Sequence, residues 1–384
     1  MSELRVVYLC PSFAPYWVQI FDAIADRVGS QFTVITQSMQ SGTNAKLAQS
    51  MGRFERRIIS GGRIGLGEQV SERGAGTPFG VNLAPALPFT LMKLKPQVVI
   101  ANNFNLWTLA SIWMGYRTII FWEGTHHTER TVQRWRHNLR RWMARRPGAF
   151  VVNGSAAKAY LHDALSVPEY RIFEGGLCCS SPPDDLVTSG PGKGQRDEVN
   201  FICVSRLIKG KGIDHLLQAV ALGRKQNRFA RDAKFTIVGD GPERDALESL
   251  SRTLGVSDLV SFEGAVHPDA VWQFYAHADV KILPTLQDNW PLVVLEAMTM
   301  GLPVLLSRYA GSHRDLVVDG KNGYSFDPED HARLAALIAA YTRRPETISA
   351  HGDSSSYLVQ KYDTKRAASA FMNALLCAKN DNPG

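Results

Sequence analysis

The chain has 384 residues, 45% hydrophobic and 21% charged, the composition of a globular protein long enough to bury two separate cores. Its five cysteines (Cys10, Cys178, Cys179, Cys203, Cys377) follow no metal-ligand or framework spacing and are odd in number, which excludes a disulfide scaffold and fits a reducing cytosol. The net charge of +7 is uneven: residues 1–150 hold 18 Lys/Arg against 8 Asp/Glu and the remainder 25 against 28, so an anionic partner is expected for the first half only.

The opening RVVYLC (5–10) has an apolar run of about six residues, the length of a buried strand, so neither a signal peptide nor a membrane span is expected there. VQIFDAIADRV follows with apolar residues at three- and four-residue spacing, the pattern of a helix, which makes a βα opening unit. QFTVITQ (31–37) reads as a second strand and RFERRIIS (53–60) as a third. The Gly-rich stretch 61–80 reads as a surface loop; its glycines do not satisfy a GxGxxG phosphate cradle. A helix near Ala84–Lys95, the strand PQVVIAN, a helix near Leu106–Gly115 and the strand RTIIFWEG complete a βαβα alternation, the signature of a parallel doubly wound sheet.

The loop EGTHHTER (123–130) leaves the carboxyl end of a strand and sets His126 beside His127. Catalytic loop residues sit at such ends, although either histidine could equally serve as a polar loop residue bonded to backbone. From Arg130 to Arg146 a helical stripe of Val132, Trp135, Leu139, Trp142 and Met143 is surrounded by seven arginines and no acid after Glu129. A basic amphipathic helix with tryptophans on its apolar side is expected to lie on an anionic membrane surface; the competing reading packs the stripe on the domain's own sheet. Nucleic acid is not expected, since no binding module is visible.

AFVVNGSAAKAYLHDAL (149–165) is a strand followed by a helix that Ser155 could cap, and RIFEG is a short strand. SSPPDDLVTSGPGKGQRDE (180–198) has no apolar periodicity and reads as an interdomain linker, its GPGKG as flexible turn. The expected organisation is a first domain over residues 1–178, a linker over 179–198 and a second domain over 199–365, with a terminal helix from 366–384 returning to the first. The second half restarts the alternation with NFICVSR (200–206), a helix in GIDHLLQAVALG, KFTIVGDGP, a helix in RDALESLSRTLG, VSFEGAV, and a helix near Asp269–His277.

Three features of this half suit an anionic ligand. In SRLIKGKGIDHL, Arg206 ends a strand and Lys211-Gly212 opens a helix, so two cations and free N–H groups meet; two surface cations at a helix start are the plain alternative. VGDGPE (238–243), with Gly239 and Gly241, forms a turn where a ligand could approach the backbone. In DVKILPTLQDNWPLVVLEAM, Asp288 lies in a loop and Glu296 in the following helix, so both carboxylates can reach one crevice, or merely complement a helix dipole.

SRLIKGKG, IVGDGPE, VSFEGAV and LPTLQDNWPLVVLEAMTMGLPVL, in that order, resemble the carboxyl-terminal domain of GT-B retaining glycosyltransferases of family 4. The likeness covers residues 200–330 closely and the first half by architecture. It implies an α/β GT-B fold, two doubly wound Rossmann-like domains facing across a cleft. It further implies a nucleotide-sugar donor, UDP- or GDP-linked, as substrate, with no cofactor and no metal. Arg206, Lys211 and Gly212 would hold the diphosphate, Glu296 the ribose, and Asp288 with Asn289 and Trp290 the sugar. Gly239, Gly241, Glu263, Gly264 and Ala265 would border the nucleotide, and His126 or His127 would touch the donor sugar.

The chain departs from the family where Asp288 replaces the first glutamate of a Glu-x7-Glu pair and where Pro291, which has no N–H to donate, stands near it. Neither Asp288 nor Glu296 is an obvious nucleophile for double displacement, so the expected route is front-face, with the leaving diphosphate helping to deprotonate the acceptor. The implied role is a metal-independent hexosyltransferase acting on a lipid-linked or glycan acceptor in cell-surface polysaccharide, lipopolysaccharide or glycolipid synthesis, cytoplasmic and peripheral on the inner face of the membrane. The alternatives are a GT-B-like nucleotide-sugar epimerase and a non-catalytic membrane-associated sugar-binding protein.

Overall fold

The structure, a computed structural model, describes residues 4–29, 31–37, 52, 54–70, 76–179, 181–183, 186, 198–230 and 232–380, with backbone alone for 63–70, 76–80 and 380. The chain forms two compact units that divide between Cys178 and Cys179 and again between Lys361 and Tyr362, the last segment belonging to the first unit, while Val70 and Gly76 are grouped with the second.

The first unit contains β1 (Val6–Cys10), α1 (Trp17–Val28), β2 (Phe32–Gln37), β3 (Glu55–Ile59), β4 (Gly62–Val70), β5 (Gly76–Leu83), α2 (Leu87–Leu94), β6 (Val98–Asn102) and α3 (Leu106–Trp113). It continues with β7 (Arg117–Trp122), α4 (Arg134–Ala144), β8 (Ala149–Val152), α5 (Ser155–Ala159) and β9 (Ile172–Glu174). Seven strands form one parallel sheet in the order β3-β2-β1-β6-β7-β8-β9. The central strands are mostly apolar and buried, with Asn102 and Arg117 only part-buried at their ends, as strands covered on both faces must be.

Register assigns the helices to faces. Ala101 and Ile120 are partners across β6 and β7, and partners in a parallel pair project to the same side. Ala101 packs with Leu87, Leu91 and Trp107 of α2 and α3, and Ile120 with Ala144 and Tyr160 at the ends of α4 and α5. Those four helices therefore cover one face. On the other, Tyr8 packs in tilted or edge geometry against Phe21 of α1 and Phe371 of the chain's final helix, Thr364–Asn380, and Phe121 against Phe371.

The second unit contains β10 (Glu198–Val204), α6 (Ile213–Lys225), β11 (Asp232–Val238), α7 (Arg244–Thr253), β12 (Val260–Gly264), α8 (Val271–His277), β13 (Val280–Leu283), α9 (Leu292–Thr299) and β14 (Val304–Ser307). Then come α10 (His313–Leu316), β15 (Gly323–Phe326), α11 (His331–Arg343) and α12 (Glu346–Val359); the final helix is α13. Its six parallel strands run β12-β11-β10-β13-β14-β15.

Several local expectations change. Within the glycine-rich stretch expected to be a loop, the described residues form β4 and β5, which pair as a two-stranded sheet; glycine lowers strand propensity without forbidding extended backbone. Helix α5 begins at Ser155 with Gly154 at the cap position and no side-chain cap bond. The stretch assigned to a linker packs in part: Cys179 and Leu186 lie against the second-unit cluster around Ile202 and Trp272. Its remainder, residues 180, 184–185 and 187–197 including the GPGKG turn, falls outside the described residues.

Helix α13 is fastened to the first unit. Phe371 is fully buried with its ring 5.9 Å from Tyr8 and 6.1 Å from Phe121, and Arg117 donates to the Lys379 carbonyl at 2.6 Å. Phe371→Ala leaves a cavity among these rings. A loss of about 3–5 kcal/mol in the first unit's transition is expected by urea denaturation; a loss below about 1 kcal/mol would mean the helix is an accessory.

Candidate active site

Winding reverses between β10 and β13: β11 and β12 lie on one side of the pair, β14 and β15 on the other. Connections leave such a pair in opposite directions and open a crevice beyond its carboxyl ends, where ligands bind in open α/β sheets. Residues 205–212 follow β10 and residues 284–291 follow β13, so Arg206, Lys211 and Asp288 are delivered to that crevice by topology alone.

The loops there are tied to one another through backbone. Leu207 N donates to Asp240 O at 2.9 Å, Gly239 N to Gly264 O at 2.8 Å, and Leu286 N to Gly210 O at 2.9 Å. Gly210 O also accepts from the Thr285 hydroxyl at 3.0 Å. Such close approach requires glycine: a Cβ at Gly239 (φ +135°) would sit 1.9 Å from Ser205 O, and one at Gly212 (φ +64°) 2.2 Å from Pro284 O. A Cβ at Gly241 would sit 2.3 Å from Leu207 O. These glycines thus hold the rim of the crevice together, a structural reason for them that stands before any ligand is considered.

Lys211 and Asp288 form an ion pair in which both side chains are largely buried. Their 77-residue separation is bridged because Gly212 lets its loop lie against Pro284. Asp288 is fixed further by its backbone, its carbonyl accepting from Gly311 N at 2.8 Å. Arg206 is exposed. Asn289 carries a buried side-chain oxygen without a hydrogen-bond partner, an acceptor that a sugar hydroxyl would satisfy. Trp290 is buried at 6% exposure. Pro291 precedes the first residue of α9, so the missing N–H falls at a helix start where it costs no intrahelical bond.

Glu296 sits in α9 beside two groups that the sequence reading did not single out. Tyr275 donates its hydroxyl to Glu296 Oε2 at 3.0 Å, with Val293 O as a second acceptor at 3.2 Å. Lys281, in the middle of β13, is fully buried, its ammonium lacks a hydrogen-bond partner, and it lies 5.7 Å from the Tyr275 ring centroid. Burial raises the Glu296 carboxyl above its ordinary range, opposed by the Tyr275 hydrogen bond and the Lys281 charge. Burial lowers Lys281 to about 8, opposed by Cys203 and Glu296 and reinforced by Lys211. A lone lysine in the otherwise apolar run VKIL was the available signal.

The remaining predicted residues are spread. Gly264 closes β12 on the same rim, with φ +77° and Arg244 Nη1 2.9 Å from where a Cβ would stand; Glu263 and Ala265 beside it are exposed. His126 and His127 belong to the first unit, after β7. His126 is exposed and pairs with Asp163 at 3.5 Å, while His127 is half-buried and its carbonyl accepts from Arg130. In the arginine segment, Val132 precedes α4 and Met143 is buried. Trp135, Leu139 and Trp142 are exposed, so most of the stripe does not pack on the sheet. Arg140 is an exception among the cations: it pairs with Glu129 and lies over the Trp122 ring at 5.0 Å.

The match to known proteins agrees with this architecture. Residues 192–353 match the family described as "Glycosyl transferases group 1". An uncharacterized glycosyltransferase of Methanocaldococcus jannaschii is 38% identical over 30% of this chain and 29% of its own length. The sulfoquinovosyl transferase SQD2 of Arabidopsis thaliana is 32% identical over 37% and 28%. A GDP-mannose-dependent alpha-(1-6)-phosphatidylinositol monomannoside mannosyltransferase of Mycolicibacterium smegmatis is 30% identical over 41% and 42%. The matched stretches thus span well under half of these relatives. Among solved structures, Anabaena HepE in complex with UDP superposes with a TM-score of 0.74 at 17% identity, covering 97% of this chain and all of that one. The lipopolysaccharide outer core galactosyltransferase WaaB does so at 0.66 and 15%, covering 97% and 99%. The likeness to a glycosyl transferases group 1 domain thus falls within the second unit, and the fold of the chain is GT-B.

Lys281 generates a test in two directions. Its folded value near 8 against an ordinary 10.5 means that keeping the ammonium charged at neutral pH costs about 3 kcal/mol. Lys281→Met is expected to raise the urea midpoint at pH 7, and the gain is expected to shrink as pH rises from about 8 toward 10.5. In that window the unfolded chain binds more protons than the folded one, which stabilises the wild type. A Lys281→Met gain that is absent at pH 7, or that grows with pH, would contradict the assignment.

Proposed function

We propose that this chain is a retaining glycosyltransferase that moves a sugar from a nucleoside-diphosphate sugar to a hydroxyl of a lipid-linked or glycan acceptor, in the synthesis of a cell-surface polysaccharide or glycolipid. The observation that carries the reading is the delivery of Lys211, Asp288 and a glycine-bound rim to one crevice beyond β10 and β13. Among the proteins to which the chain is similar, HepE is complexed with UDP and with UDP-glucose, and the Mycolicibacterium mannosyltransferase is described as GDP-mannose-dependent. Both bases therefore belong in the first donor screen.

The residues divide the work as follows. Lys211 and Arg206 oppose the donor diphosphate, with Lys211 bridging from Asp288 to phosphate. Asp288 accepts from a sugar hydroxyl beside the unpartnered Asn289 oxygen, and Glu296 accepts from the ribose. As the bond from the anomeric carbon to the diphosphate oxygen breaks, charge grows on that oxygen and the two cations stabilise it. The acceptor hydroxyl attacks from the side the diphosphate leaves and hands its proton to the departing oxygen, so configuration is retained without a covalent sugar on the protein. Because side-chain cations carry the phosphate charge, turnover is proposed to need no metal.

Lys211→Ala is expected to lower kcat/KM by about 10²–10³-fold in an assay of nucleoside diphosphate release. Proton NMR of the product is expected to show the donor's anomeric configuration. Turnover lost in chelator and restored by manganese would refute the metal-independent route, an inverted product would refute retention, and a new free nucleotide sugar formed without acceptor would favour an epimerase.

The proposed location is the cytoplasmic side of a membrane, at an anionic surface contacted by residues 130–146. Among the described residues no helix is long and apolar enough to cross a membrane. Support comes from exposed Trp135, Leu139 and Trp142 on α4 among exposed Arg134, Arg141, Arg145 and Arg146. Each such cation near anionic lipid contributes about 1 kcal/mol. Replacing Arg134, Arg141 and Arg145 with Glu, and sparing the internally paired Arg140, is expected to release the protein from anionic vesicles in sedimentation while nucleotide affinity is unchanged. Undiminished vesicle binding by this variant would contradict the contact.

A further inference from the structure

We infer that the membrane contact extends across the whole face formed by α2, α3 and α4, and that the groove between α2 and α3 seats an acyl chain of an anionic phospholipid bilayer. The inference rests on the membrane reading of α4 and deepens it. The groove holds about 530 Å³ and is lined by Leu83, Pro85, Pro88, Leu106, Ala110 and Trp113 among others, Asn82 being its one polar lining residue.

The three helices cover the same face of the first sheet, as the pairing of Ala101 with Ile120 and the two clusters on that side establish. Their outer sides therefore look the same way. Phe89 and Met92 on α2 are 71% and 50% exposed, Leu106 and Trp113 on α3 are 42% and 85% exposed, and Trp135, Leu139 and Trp142 add to them from α4. Seven of the thirteen large hydrophobics exposed among the described residues thus belong to three successive helices. Scattered single exposures need no explanation, but such a concentration marks an interaction surface.

Charge selects the occupant. Residues 84–146 hold ten Lys/Arg and two Asp/Glu, the acids being Glu123 and Glu129. Both acids are turned to internal use: Glu129 pairs with Arg140 and Glu123 accepts from Asn153 at 3.1 Å. An isologous contact with a second copy would set this cationic face against itself. Nucleic acid would answer the arginines and leave the groove and Trp113 in water. An anionic bilayer satisfies both, phosphates on the arginines and chains against the aromatics, as at other interfacial surfaces that combine basic and aromatic residues.

The test uses vesicles of phosphatidylcholine and phosphatidylglycerol, with and without bromine on the acyl chains, and the full chain in wild-type and Trp113→Phe forms. Brominated chains are expected to quench wild-type fluorescence more than that of Trp113→Phe, the difference being the Trp113 signal. Trp113→Asp, at a site too exposed to disturb the core, is expected to weaken vesicle binding tenfold or more with nucleoside diphosphate binding unaltered. Vesicle binding without that quenching difference overturns the groove assignment and leaves the α4 contact standing. No binding to vesicles of any composition overturns both. A dimer in ultracentrifugation that Trp113→Asp dissociates, with vesicle binding intact, assigns the groove to a second copy and likewise overturns the inference.

Discussion

The reversal of winding between β10 and β13 is the constraint on which the second unit's chemistry depends. It opens a part of the parallel sheet where loops from two directions diverge, and each divergent loop brings part of the site. The glycines at 212, 239 and 241 then draw those loops close enough for backbone atoms to bond. Lys211 and Asp288 meet as a consequence. An ion pair of two largely buried side chains is weak evidence for stability, since desolvation offsets most of its attraction. It does hold a cation and a carboxylate ready in fixed positions, which is what a ligand bearing both phosphate and hydroxyls needs.

Beneath this rim lies a second layer of charge. Tyr275, Lys281 and Glu296 come from α8, β13 and α9, and the lysine is fully buried without a hydrogen-bond partner. A buried unpartnered ammonium lowers stability, and natural sequences retain such groups where the charge is used. Here it faces a carboxylate whose own burial favours the neutral form. The Lys281 charge and the Tyr275 hydroxyl both oppose that shift and favour the carboxylate form of Glu296.

Much of the fold was legible because its signals are local. Apolar runs such as VVYLC, VVIAN and FICV alternate with amphipathic helices at short intervals, and that order alone specifies two doubly wound sheets. The glycines and cations of SRLIKGKG and VGDGPE marked the rim in the same way. What escaped depends on pairing across distance. Nothing near Lys211 announces Asp288, and nothing near Glu296 announces Tyr275 or Lys281. Glycine hides the strand propensity of β4 and β5, and in sequence alone Arg140 is one surface arginine among seven because Glu129 and Trp122 reach it only in the folded chain. The stretch after β14, with β15, α11 and α12, carries no chemistry-bearing motif that marks its elements in sequence.

The account stands or falls on whether the crevice beyond β10 and β13 binds a nucleoside diphosphate through its second phosphate. Titration calorimetry of UDP and GDP, each against its monophosphate, with the wild type and Lys211→Met, measures this directly. The account predicts that one diphosphate binds at least tenfold more tightly than its monophosphate, and that Lys211→Met erases the difference while leaving monophosphate affinity nearly unchanged. Equal affinity for mono- and diphosphate in the wild type, or an undiminished preference in Lys211→Met, would contradict it.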